Sequence, residues 1–281
     1  MSYTRDIMGR ITAVNAQAPG GSSTPVVSSV GYEPFGPYSS LTYGNGVAET
    51  RGFDQDYRMT GITDTGSSVL QNLSYAYYPT NNVKTIADGV HSADSQSFVY
   101  DSLQRLSSAT GSYGTYGYTY DKDGNRLTQT LGATTTSYGY GTGNDLLQTM
   151  SVGGSVTQTI GYTADGRMAS FSPGLASPSG QVTTALSYNQ DAQLLAVNDG
   201  TQVVASYTYN GFGQRVLKAF PGGTGEIFQY GQNGMLLEET DQAGTPQADY
   251  IYLNGRPIAT CQRCVRIPRI RVCEKPHLSA G

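Results

Sequence analysis

Tyr118-Thr119-Tyr120-Asp121-Lys122-Asp123-Gly124-Asn125-Arg126-Leu127-Thr128 reads as a complete β-hairpin. Asp121 suits the first position of a type I turn, because its carboxylate can accept backbone N–H groups two residues on. Gly124 takes the left-handed conformation that closes such a loop, and the alternating flanks can pair as strands. Pairing Asp121 with Asn125 sets Tyr120 against Arg126 and Tyr118 against Thr128 on one face, with Thr119 against Leu127 on the other. Each Tyr–Arg cross-strand pair is then worth about 0.2–1 kcal/mol, with cation–π attraction as one source.

The unit recurs. Phe98-Val99-Tyr100-Asp101 leads to Arg105-Leu106, Tyr162 to Asp165-Gly166-Arg167-Met168, and Tyr207-Thr208-Tyr209-Asn210 to Gly213-Gln214-Arg215-Val216. Weaker copies begin at Tyr3, Phe53, Tyr138, Tyr188 and Phe228. The anchoring tyrosines 100, 120, 140, 162, 188, 209, 230 and 252 are spaced by 20 to 26 residues, a period that marks an array of about eleven supersecondary units rather than one globule.

Between units lies a second set of turn signals, Asp88-Gly89, Gly153-Gly154 and Asp199-Gly200, each suited to a two-residue hairpin. Tight turns within and between units predict an all-β fold: a continuous antiparallel meander of about twenty short strands, forming a curved, coiling sheet because long flat sheets are disfavoured. Apolar residues keep helical spacing nowhere for long, and β-branched and aromatic residues dominate the periodic segments. Two stretches rich in Gly, Ser and Pro, Gln17 to Ser29 and Ser172 to Gly180, read as loops projecting from the array.

Composition agrees. Glycine and proline make about 17% of the chain against about 12% on average, charged residues only 14%, and Tyr alone contributes 22 residues. A net charge of −4 with this aromatic content does not fit disorder. No apolar run is long enough for a membrane helix, and the first residues lack the features of a signal peptide. Residues 1–259 form the expected array and 260–281 a distinct tail. That tail carries Arg263, Arg266, Arg269, Arg271 and Lys275 against Glu274, together with Cys261, Cys264 and Cys273, the chain's three cysteines. The acidic remainder argues against nucleic-acid binding, which needs clustered cations, and without cysteine it cannot be held by disulfides.

These repeats resemble the tyrosine-aspartate repeats of the Rhs (rearrangement hotspot) family, shared with the C component of insecticidal toxin complexes and with teneurins. The resemblance covers residues 1 to 259. It rests on Asp121 through Leu127, on Tyr32-Glu33-Pro34-Phe35-Gly36 and Leu41-Thr42-Tyr43-Gly44-Asn45-Gly46, and on Tyr250-Ile251-Tyr252-Leu253-Asn254-Gly255-Arg256-Pro257-Ile258-Ala259. It implies a segment of a hollow shell that encloses a C-terminal toxin, exported or displayed at the cell surface as part of a larger protein, with the rest of the shell and the enclosed polypeptide as partners. Where the family continues into a self-cleaving core, this chain gives Cys261-Gln262-Arg263-Cys264. No cleavage residue is carried over, and the change suggests a shifted frame or truncation.

The remaining residues offer few combinations that could carry chemistry. Cys261, Cys264, Cys273 and His277 offer four zinc-compatible ligands, at a spacing that matches no standard finger. Nucleophilic hydrolysis needs a base beside an activated Ser or Cys, but the two histidines, His91 and His277, accompany no nucleophile elbow, and His91 reads as an exposed surface residue. Asp121 and Asp123 are turn formers, and Glu238 and Glu239, adjacent on a strand, point to opposite faces. The expectation is therefore a non-enzymatic protein without cofactor, its alternative function being an adhesion module that binds carbohydrate or protein through exposed tyrosines. An array with two free sheet edges should associate in isolation; light scattering should find oligomers, and a monodisperse monomer would contradict this.

Overall fold

The computed structural model describes residues 1–17, 21–173 and 183–262, the last two as backbone. Among them, twenty-four strands from Ser2–Arg5 to Arg256–Gln262 form one open antiparallel sheet, and the helical content is a single 3-10 turn at Ser92–Asp94. Antiparallel registers join strands to their neighbours in sequence along the sheet, as from Ser2–Arg5 through Tyr38–Tyr43 and from Thr184–Tyr188 through Pro246–Leu253. The residues fall into two compact units, Met1–Tyr116 with Ile251–Thr260, and Gly117–Tyr250.

Two kinds of turn alternate. The first is a five-residue loop. In the loop from Asp101 to Arg105, the Asp101 amide donates to the Arg105 carbonyl at 2.8 Å, and the Gln104 amide donates back to the Asp101 carbonyl at 3.0 Å. The fourth residue is left-handed, with φ +80° at Gly9, +83° at Gly166 and +77° at Gly213. The second kind has two residues. Gly153 and Gly154, at φ +58° and +85°, join Val152 directly to Ser155, and Gly200-Thr201 joins Asp199 to Gln202, one residue later than the Asp199-Gly200 signal suggested. Asn254 and Gly255, at φ +50° and +78°, form the last such turn.

Three expectations need correction. First, the strand from Ser23 to Tyr32 occupies most of the segment read as a projecting loop. Val27 and Val30 are buried there, and the gain outweighs the strand-breaking tendency of Pro25, aided by a bulge at Ser29, whose φ is +53°. The second such segment lies, beyond Pro173, outside the described residues. Second, Asp88-Gly89 is not a two-residue hairpin. The Asp88 carboxylate accepts the amides of Val90 and His91, both at 2.8 Å, so the chain winds into the 3-10 turn and pairs again only at Gln96 with Ile86.

Third, the register within the repeat is bulged. Tyr209 faces Arg215, but Thr208 faces Leu217, leaving Val216 as an extra residue on the return strand. The same one-residue shift follows Tyr140, Tyr162 and Tyr188. In the defining hairpin the hydroxyls of Thr119 and Thr128 meet at 2.6 Å, so Thr119 is opposite Thr128 rather than Leu127. Bulges re-aim side chains and sharpen twist; here they turn the arginine toward the next repeat.

Most side chains are half-buried, as on a thin sheet, and the main apolar cluster is local to the first unit. Ile11, Val14, Val27, Val30, Tyr38 and Leu41 pack with Ile251, Leu253 and Ile258, and the Asn254 amide donates to the Tyr32 hydroxyl at 3.1 Å. The segment 251–260 thus shares a core with residues more than 200 positions earlier.

Glycine is replaced at the fourth loop position by Ala192, at φ +63°. A left-handed L-residue costs about 1–2 kcal/mol, against about 0.5–1 kcal/mol of extra chain entropy lost by glycine. Ala192→Gly should raise stability by about 0.5–1 kcal/mol in thermal or urea unfolding, and Gly124→Ala, at φ +96°, should lower it.

Candidate functional site

The repeated chemistry is a clasp between successive hairpins. At eight of the described hairpins a tyrosine ends a strand, and its hydroxyl donates to the carbonyl of the residue that opens the return strand of the preceding hairpin. Tyr140 reaches Arg126 at 3.0 Å, Tyr162 reaches Leu147 at 2.7 Å, Tyr188 reaches Met168 at 2.8 Å, Tyr209 reaches Leu194 at 2.9 Å and Tyr230 reaches Arg215 at 2.9 Å. Tyr32, Tyr77 and Tyr100 do the same to Ile11, Met59 and Val83. That carbonyl sits where the hairpin ladder gives way to the loop, and the phenol supplies its donor.

Arginine completes the clasp. Arg10 lies 4.8 Å from the Tyr32 ring centroid, Arg58 5.0 Å from Tyr77, and Arg167 5.3 Å from Tyr188. Where the arginine stands one residue later, it covers the aromatic two places earlier instead: Arg126 is 4.2 Å from Tyr138 and Arg215 is 4.6 Å from Phe228, with Tyr118 and Tyr207 at 5.9 and 5.6 Å on their other sides. Arg126 thus contacts Tyr118 and, in the next strand, Tyr138.

The loop carboxylate holds the other side of the guanidinium. Asp6 meets Arg10 Nε at 2.8 Å, and Asp54 and Asp101 meet Arg58 and Arg105 at 2.7 Å; Asp165 pairs with Arg167. The same aspartates accept loop amides, as Asp101 does from Leu103 and Arg105 and Asp121 from Asp123 and Asn125. Asn210 plays this part toward Phe212 and Gln214. These bonds favour the ionised form: the Arg10 side chain lowers the Asp6 pKa, the Arg105 amide that of Asp101, and the Asn125 side chain that of Asp121.

Tyr252 lies in the strand Pro246–Leu253, and Arg256 opens the next strand after the Asn254-Gly255 turn. Of the proposed zinc ligands, Cys264, Cys273 and His277 lie outside the described residues, and Cys261 is described as strand backbone alone. The residues between paired aromatics, Val99, Thr119, Thr208 and Gln229, are exposed, whereas the ladder tyrosines are half-buried, several of them with hydroxyl and ring face engaged. Tyr3, Tyr57 and Tyr113 are exposed tyrosines.

A polar knot in the first unit lies outside the sequence-level expectations. Glu49 and Asp64, 2% and 1% exposed, face each other across paired strands. Glu49 accepts from the Tyr43 hydroxyl at 2.9 Å and from Arg51 Nε at 2.7 Å, and Arg51 covers Tyr38 at 4.2 Å. Burial first, then the Glu49 charge, pushes the Tyr38 pKa up to about 12 and the Tyr43 pKa higher still. The available signal was strand alternation, which puts Glu49 and Arg51 on one face; nothing local told that the face is covered.

No family model matches the chain. The chain is similar to the toxin subunit YenC2 of Yersinia entomophaga, 26% identical over 267 residues, covering 76% of this chain and 27% of that protein. Among solved structures it resembles a chain of the Photorhabdus luminescens Tc holotoxin pore carrying a TccC3 mutation, with a TM-score of 0.53 at 17% identity over 93% of this chain and 17% of that one. A chain of the TcdB2–TccC3 complex gives a TM-score of 0.53 at 16% identity, over 89% and 17%. The chain therefore spans about a quarter of its curated relative's length and less than a fifth of the solved chains.

Tyr209→Phe removes a donor from the Leu194 carbonyl and should cost about 0.5–1.5 kcal/mol in denaturant unfolding. Stability should also be bounded in pH. Folded aspartate pKa values are lowered, so that contribution is complete above the unfolded value of about 3.9 and is lost as pH falls through the folded values beneath it. The folded pKa values of Tyr100, Tyr140 and Tyr252 are raised by burial, so theirs is complete below about 10 and is lost as pH rises through the higher folded values. Melting temperature against pH should show a plateau with both flanks, and Asp101→Asn should shrink the acid flank alone.

Proposed function

We propose, from the premise that this is a tyrosine-aspartate repeat protein of the Rhs type, that the chain is a structural segment of a toxin-complex component and forms part of a wall around an enclosed polypeptide. The observation that carries this reading is the regularity of the clasp. Its aspartates, arginines and tyrosines, the residue types from which a reaction centre is often drawn, are committed to loop amides, ring faces and backbone carbonyls at one repeat after another. A binding or catalytic pocket would call for special residues at one place, whereas a wall calls for the same residues everywhere.

The relative YenC2 is a toxin subunit, and the chain's share of that protein leaves room for other wall segments and for cargo. Partners on this reading are the remaining wall and the enclosed polypeptide.

Co-expression with the polypeptide encoded immediately downstream tests the proposal. Limited proteolysis should leave that polypeptide intact while the wall is folded and digest it after acid opening. Equal digestion with and without the repeat chain would contradict enclosure.

A further inference from the structure

We infer that Asp88, His91 and Asp94 form a binding site for a divalent transition cation of the zinc class. Their ligand atoms, one imidazole nitrogen and a carboxylate oxygen from each aspartate, all lie within 4.8 Å of one another. Four-coordinate zinc with ligands at about 2.0–2.1 Å separates neighbouring ligand atoms by about 3.4 Å. The three side chains therefore need to close by little more than about 1 Å, which side-chain rotation supplies because His91 and Asp94 are exposed. One imidazole with two carboxylates suits zinc better than calcium or magnesium, which favour all-oxygen sets, and three protein ligands leave the fourth position to water.

The site lies where the chain departs from its own rule. The connection between the strands Val83–Asp88 and Gln96–Tyr100 is the 3-10 turn in place of a two-residue hairpin. One Asp88 oxygen, Oδ1, accepts the Val90 and His91 amides, while the Asp88 amide donates to Ser95 Oγ at 3.0 Å. These bonds tie down the backbone of the turn on which the three ligand groups converge. Cation binding would then cross-link the two ends of the turn and raise the stability of the folded chain by mass action.

Zinc titration of the full chain tests this, in a background carrying Cys261→Ser, Cys264→Ser and Cys273→Ser so that tail thiols do not compete. Calorimetry should give one zinc per chain, and the His91 ring resonances, separable because the protein has only two histidines, should shift. His91→Gln and Asp94→Asn should each weaken binding at least about tenfold with an unchanged circular dichroism spectrum; both leave the Asp88 carboxylate and its amide bonds in place. No zinc bound, or zinc bound equally by both variants with the His91 resonances unmoved, would overturn the assignment.

Discussion

A phenol donated to the first carbonyl of the previous return strand is what makes one array out of separate hairpins. Strand pairing alone leaves each five-residue loop as an independent excursion at the sheet margin. The tyrosine spans that gap, and arginine, held by its own loop's aspartate, lies against an aromatic ring of the next repeat. In the clearest cases the circuit is closed: Asp6 holds Arg10, Arg10 covers Tyr32, and Tyr32 returns its hydroxyl to Ile11, the residue after Arg10. Each link is modest, on the order of 1 kcal/mol for the hydrogen bond and about 0.5–1 kcal/mol for the ring contact. They matter because a thin sheet has few deeply buried side chains to do the work instead.

Clasps run through both units. The second unit adds small buried groups such as Thr184, whose hydroxyl donates to Asp199 at 2.7 Å, and isolated buried side chains such as Val197 and Phe228. In the first, strands near the N-terminus gain a covering segment from residues 251–260, and that covering permits an apolar cluster beside a dry polar knot. Glu49 and Asp64 stand opposite one another, an arrangement that like charges would oppose on an exposed sheet. The Tyr43 hydroxyl and the Arg51 guanidinium make the buried Glu49 tolerable by hydrogen bonding to it.

What could be read in advance follows from the range of each interaction. The loop from Asp121 to Asn125 was legible because its physics is local: a carboxylate two and four residues from the amides it accepts, and a glycine where φ must be positive. The two-glycine turn at 153 and 154 was legible for the same reason. The bulge was not, since Val216 has nothing in its identity to mark it as the extra residue; the neighbouring Arg215 meets Phe228, thirteen residues further on, only once the strands are paired. The strand at Ser23–Tyr32 was obscured by its own Ser, Gly and Pro content, and its assignment depends on a core completed by Leu253 and Ile258. No window of sequence contains both.

Asp88 shows how one interaction can serve opposite ends. At Asp101 and Asp121 the carboxylate reaches the amides two and four residues ahead, which closes a loop and returns the chain to its partner strand. At Asp88 it reaches the amides two and three ahead, and the chain coils forward instead of back. The residue four places on is Ser92 rather than arginine, and the ligand atoms of Asp88, His91 and Asp94 lie within 4.8 Å of one another. A carboxylate that pairs with arginine in several other loops stands here beside an imidazole and a second carboxylate, and that is the physical reason ligand chemistry would collect at this connection.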